Sequence, residues 1–193
     1  MHVGTQHRER DNIMSDPNFD KFVSNQQVSL DPDREVFLTD WRKDLEMLYQ
    51  QIEGFLKDYI EKKKISLIYN DVNVEEERLG TYTVRSMLIQ IGTQKRVTLL
   101  PIGCTIIGAK GRVDVLGTAG NFRLVLVDKD AKKPNLQVRI VINRPATEED
   151  HYDKNAKEPE EWAWKIATPP PTISYIALNQ ESFFQAIMEI SNG

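Results

Sequence analysis

The sequence holds a single cysteine and three histidines in 193 residues. One cysteine closes no internal disulfide and builds no thiolate zinc site. His2, His7 and His151 stand in polar or acidic stretches, so no imidazole is placed to activate Cys104. Cys104 itself lies in the apolar run from Pro101 to Ile107 and reads as a small buried hydrophobe. A Gly-x-Ser-x-Gly nucleophile elbow is also missing. Basic charge is not in excess: 25 Lys and Arg face 29 Asp and Glu, for a net charge of -4. Phosphate contacts supply most nucleic-acid affinity, so this balance argues against a dedicated DNA or RNA binder. No apolar run approaches the roughly 18 residues that span a bilayer. The polar opening stretch has no signal-peptide core. Those absences make a cytoplasmic protein without membrane contact the expectation.

What is present is a globular composition, 40% hydrophobic and 28% charged, with one strong helical signal. Trp41, Leu45, Leu48, Ile52, Phe55 and Tyr59 recur at spacings of four and three, one face of an α-helix. Asp31-Pro32 supplies an N-cap followed by proline, and Lys62–Lys64 a basic C-terminal end. The helix is therefore expected over about 32–63, with Glu53/Lys57 and Asp58/Lys62 as i,i+4 pairs. Further apolar residues, Phe37, Leu38, Met47, Tyr49, Leu56 and Ile60, widen the stripe beyond a two-stranded coiled-coil seam. A wide stripe fits packing on a sheet.

After Lys64 the period becomes two. Strands are expected at Ile65–Tyr69, Thr81–Ile91, Arg96–Pro101, Gly111–Leu116, Phe122–Val127 and Leu136–Ile142, separated by glycine-bearing turns. No helix interrupts them, which excludes a doubly wound parallel sheet. Residues 144–160 read as an acidic mobile loop. Two more strands, Glu161–Thr168 and Thr172–Leu178, flank the stiff bend Pro169–Pro171, and Asn179 caps a short helix from Gln180 to about Ile190. The expectation is an α+β fold: an antiparallel meander packed against one long N-terminal helix, with a short C-terminal helix on the same face or at an edge. Residues 1–30 are expected as a polar tail, with Met14 as an alternative start, and 31–193 as one domain.

Two stretches invite chemistry. Gly103–Lys110 is glycine-rich, but Ala109 separates Gly108 from Lys110 and a strand follows, so it lacks the helix N-terminus that a phosphate loop needs. Asp114 lies on one strand of a predicted hairpin, and Asp128-Lys129-Asp130 ends the next. Two carboxylates near a lysine are what a magnesium-dependent phosphodiesterase uses to hold its metal and steady the developing charge. This segment resembles the core hairpin of the PD-(D/E)XK nuclease superfamily, over about 20 residues. That resemblance implies Asp114 and Asp128 as metal ligands, Asp130 beside them, and a third acid from the long helix, Glu46 or Glu53. The sequence departs from the pattern. Lys129 is adjacent to Asp128, Asp130 stands where the lysine belongs, and a strand follows in place of a helix.

Trp162 and Trp164 alternate on one strand and share a face, as core under the helix or as an interaction patch. With no complete catalytic or cofactor constellation, the functional expectation is a non-enzymatic binding or accessory subunit. It would act through contacts with a protein partner or further copies of itself, without a cofactor. The alternative is a PD-(D/E)XK-related nuclease-like domain, active or degenerate, using magnesium at Asp114 and Asp128.

Overall fold

The computed structural model of the chain describes residues 16, 32–106, 108–134 and 161–192. The first helix, α1, spans Arg34–Glu61 and buries Leu38, Trp41, Leu45, Leu48, Ile52 and Leu56 at helical spacing. It begins two residues later than expected: Pro32 and Asp33 form the turn before it, and Asp31 lies outside the described residues. The expected Glu53–Lys57 pair is not made. Glu53 instead accepts the Tyr69 hydroxyl hydrogen, and Lys57 reaches forward to Glu61 at 4.0 Å. Asp58 and Lys62 meet through the backbone, where the Lys62 N–H donates to the Asp58 carbonyl at 3.2 Å.

Among the described residues seven strands follow: β1 (Ile65–Glu76), β2 (Gly80–Ile91), β3 (Lys95–Gly103), β4 (Gly111–Leu116), β5 (Asn121–Asp128), β6 (Trp162–Ala167) and β7 (Tyr175–Ala177). They form one antiparallel sheet in sequence order, and a second helix, α2 (Gln180–Ser191), closes the described chain. The fold is the expected α+β meander with a long N-terminal and a short C-terminal helix. The expected strand Leu136–Ile142 and acidic loop 144–160 lie outside the described residues, as does the tail 1–30 apart from Asp16.

β1 is longer than the sequence suggests. Its apolar alternation breaks at Asn70-Asp71, yet pairing with β2 runs unbroken from Ile65↔Ile91 to Glu76↔Gly80. The inward set shifts by one residue instead, from Ile65, Leu67 and Tyr69 to Val72, Val74 and Glu76. On β2 it shifts from Ile89 and Met87 to Val84 and Tyr82, with Ser86 buried at the crossing. The cause is local. β2 pairs with β3 only from Met87 to Ile91, and beyond that point β1 and β2 are a two-stranded ribbon, which twists more strongly than a sheet interior. β7 is shorter than expected because residues 168–174 are occupied by a turn: Thr168 Oγ1 donates to the Thr172 carbonyl and accepts from the Ser174 N–H.

Both edges of the sheet reach α1. Tyr69 of β1 packs on Tyr49 with ring centroids 5.8 Å apart. On the other flank Trp164 of β6 packs on Trp41, and Gln51 donates to the Leu178 carbonyl at 3.2 Å. The core lies between: Met87, Ile89, Val97, Leu99, Val113, Val115, Leu124, Leu126 and Ile166 face the helix. α2 starts with a reciprocal capping box between Asn179 and Ser182. It covers the same face beside α1, through Phe183 against Phe55 and Phe184 against Tyr59.

Candidate functional site

The register separates the carboxylates of the hairpin β4–β5. Asp114 pairs with Arg123, whereas Asp128 pairs with Trp162 at the far end of β5. Arg123 and Asp128 are five residue steps apart along the strand, roughly 17 Å. Alternation also puts the two acids on opposite faces: the neighbours of Asp114 on β4, Val113 and Val115, point to the core, whereas Leu124 and Leu126 set Asp128 on the helix side. Each acid is committed locally. Arg112 holds Asp114 through two hydrogen bonds of 2.7 and 2.8 Å, and Asp128 Oδ1 accepts the Asp130 N–H at 2.7 Å. Lys129 pairs with Glu161. Glu46 binds Arg85 at 2.6 Å and Glu53 binds Tyr69, so neither joins the hairpin. Among the described residues no group of three or more His, Cys, Asp or Glu is placed to hold a metal ion.

The two strand tryptophans divide between core and surface. Trp164 is buried against Trp41, with centroids 6.1 Å apart, and its Nε1 donates to the Asp44 carbonyl at 3.2 Å. Trp162, at the strand's outer end, stays 40% exposed, with Lys110 Nζ 6.0 Å above its ring. Lys110 also reaches the Asp44 carboxylate, itself only 5% exposed, at 2.9 Å. The contact is an ion pair whose geometry is not that of a hydrogen bond. Gly111 is required beside it, since a Cβ there would sit 2.4 Å from the Trp41 ring.

The glycine-rich stretch does receive an anion, and the anion is the chain's own Glu76. The Cys104 and Thr105 N–H groups donate to its carboxylate at 3.1 and 2.7 Å, and the hydroxyls of Thr105 and Tyr82 donate as well. Gly103 permits this approach, because a Cβ at that position would stand 2.6 Å from Glu76 Cδ. Burial pushes the Glu76 carboxyl up, but the four donors outweigh it and hold the group below its ordinary range. Cys104, half-buried with Sγ 3.6 Å from Glu76, has its thiol pushed up to about 12 by burial and by that negative charge. A thiol so perturbed stays protonated near neutral pH and is a poor nucleophile.

The remaining feature is an open cleft of about 800 Å³ between the C-terminal half of α1 and β1. Ile60, Ile65 and Leu67 give it an apolar floor, while Lys57, Lys64 and Glu61 stand at its rim. β1 borders it as the sheet's outermost strand, and its outer side pairs with no described strand. Which backbone groups are free follows from one bond. The Lys64 carbonyl accepts the Gly92 N–H at 2.9 Å, so Lys64 faces β2. In an antiparallel ladder the facing alternates. Ile65, Leu67, Tyr69, Asp71, Asn73 and Glu75 therefore turn their N–H and C=O groups outward. Gly54 lies on the α1 wall of the cleft, and a Cβ there would meet nothing within 4 Å. A glycine in a helix interior costs about 1 kcal/mol relative to alanine. No contact within the described chain requires this one.

No described helix is long and apolar enough to cross a membrane. No family model matches the chain, and neither a curated protein nor a solved structure is significantly similar to it. The α1–β1 cleft was missed in the sequence because its elements are distant from one another there. The one signal it left was Gly54, a helix-weakening residue inside an otherwise strong helical period.

Proposed function

We propose that the protein is a binding or accessory subunit that acts through protein–protein contacts, taking an extended segment of a partner along the free edge of β1. The observation that carries this reading is the coincidence of a 12-residue edge that pairs with no described strand and an open cleft overlooked by a helical glycine. Long free edges are templates for strand addition, and natural sheets ordinarily shorten or cover them. The opposite edge follows that rule: β7 has three residues. In strand addition, main-chain hydrogen bonds give affinity and side-chain pockets give selectivity. Here the apolar floor from Ile60, Ile65 and Leu67 is the pocket, and Gly54 leaves room for a second backbone above it.

Photo-crosslinking tests the reading. A photoreactive residue replacing Lys57, on the cleft rim, should yield a discrete protein adduct in cells that make the full chain. The same residue replacing Glu181, exposed at the start of α2, is the control. Equal labelling at both positions, or none at Lys57, contradicts a docking edge at β1.

A further inference from the structure

We infer that the chain seated on the β1 edge is a second copy of this protein, paired antiparallel about a two-fold axis near Asn70, so that two sheets join into one. The inference rests on the reading of β1 as a protein-docking edge and names its occupant. Its basis is the charge order along that edge. Lys62, Lys63 and Lys64 lead into β1, and Glu75 and Glu77 stand at its other end, all five exposed. None of the five makes a side-chain ion pair among the described residues. Between them the edge carries one charged residue, Asp71. An edge that is basic at one end and acidic at the other is complementary to itself when the copies run antiparallel, and repels itself when they run parallel.

The backbone agrees with that arrangement. With Asn70 on the axis, Ile65 meets Glu75 of the second copy, Leu67 meets Asn73, and Tyr69 meets Asp71. These are the outward-facing residues, so each such pair exchanges two hydrogen bonds, about a dozen over the joint. The strand is about 40 Å long. The axis brings Lys63 of one copy against Glu77 of the other, with Glu75 next in line, twice per dimer, while Lys64 falls opposite Glu76, whose carboxylate is held within its own chain, and Lys62 opposite Arg78. A contact of this kind is isologous and closes on itself, so assembly stops at two copies. Ile68, 45% exposed beside the axis, is then shielded by the second ribbon.

Sedimentation equilibrium of the full chain tests this. The expected mass is twice 22.3 kDa, with dissociation promoted by salt as the end charges are screened. Asp71→Pro removes an outward N–H while leaving every β1–β2 hydrogen bond in place, and should give a folded monomer. Because proline also constrains its neighbours, a charge pair gives a second route. Lys63→Glu should give a monomer of unchanged circular dichroism, and adding Glu77→Lys should restore the dimer. A monomer at every concentration, or a dimer indifferent to both sets of changes, overturns the inference. A monomer that still crosslinks at position 57 to a different protein overturns the second copy alone. Absence of any adduct there removes the docking edge itself.

Discussion

Glu76, the last residue of β1, accepts the Cys104 N–H at 3.1 Å and so ties the far end of the free edge strand to the β3–β4 turn. The β1–β2 ribbon has left β3 by this point, and the carboxylate returns it to the body of the sheet. Five donors converge on this one side chain, two N–H groups, two hydroxyls and the Cys104 thiol. This charged tie adds to the apolar packing of Val74, Leu79, Tyr82 and Val84, which also hold the ribbon on the core.

Glu76→Gln is expected to destabilise the protein by about 1–3 kcal/mol at neutral pH, since an amide accepts fewer and weaker hydrogen bonds and brings donors of its own. The pH dependence has a definite sign. The folded-state carboxyl sits below its ordinary 4.5, so its contribution is complete above that value and is lost as pH falls through the lowered one. The difference between urea melts of the two proteins should start to shrink as pH falls below about 4.5 and keep shrinking as pH passes the lowered value. A constant difference down to pH 2 would show that Glu76 acts through shape and not through charge.

Lys110 balances Asp44 where that carboxylate is almost wholly buried. Lys110→Met should cost about 1–3 kcal/mol, less than a fully buried pair because the ammonium is partly exposed. Asp44→Asn in the Lys110→Met background should recover much of the loss, because it removes the stranded charge. A double variant no more stable than Lys110→Met contradicts the ion-pair assignment.

Gly54→Ala should raise monomer stability by about 0.5–1 kcal/mol, the helix-propensity difference, since the new methyl group meets nothing. Gly54→Trp should fold equally well but fill the cleft and abolish crosslinking from position 57. If Gly54→Ala destabilises the protein, the glycine is serving the fold rather than a partner.

Asp114 is bound by Arg112 on the outer face of the sheet, far from Asp128. Asp114→Ala should cost about 1–2 kcal/mol, since the bidentate pair is partly buried. Magnesium or manganese should leave the melting temperatures of the wild type and this variant equally unchanged. A metal-dependent rise of several degrees that Asp114→Ala removes would show that the two acids do meet.

The architecture was legible because it rests on periodicity. The α1 stripe from Trp41 to Ile52, the Gly111–Leu116 strand and the Asn179 cap are local patterns, and each appears where the sequence indicates. What was not legible depends on register. The spacing of Asp114 and Asp128 suggested facing carboxylates, and only the pairing of Asp114 with Arg123 separates them. The equivalence of Trp162 and Trp164 likewise held for facing but not for depth, since Trp162 lies at the strand end beyond the cover of α1. The extension of β1 past Asn70 was hidden for the same reason. The ribbon's twist moves the inward set by one residue, which in a sequence looks like the end of a strand.

Amide hydrogen exchange along β1 tests the docking edge most directly. Ser66, Ile68 and Asn70 face β2, so their amides should be protected at any protein concentration. The amides of Leu67, Tyr69 and Asp71 face outward, find no partner strand among the described residues, and are protected when another chain occupies the edge. Protection of these three that rises with concentration of the full chain, and vanishes in Lys63→Glu, is the predicted result. Exchange of Leu67, Tyr69 and Asp71 at unprotected rates at every concentration would contradict it.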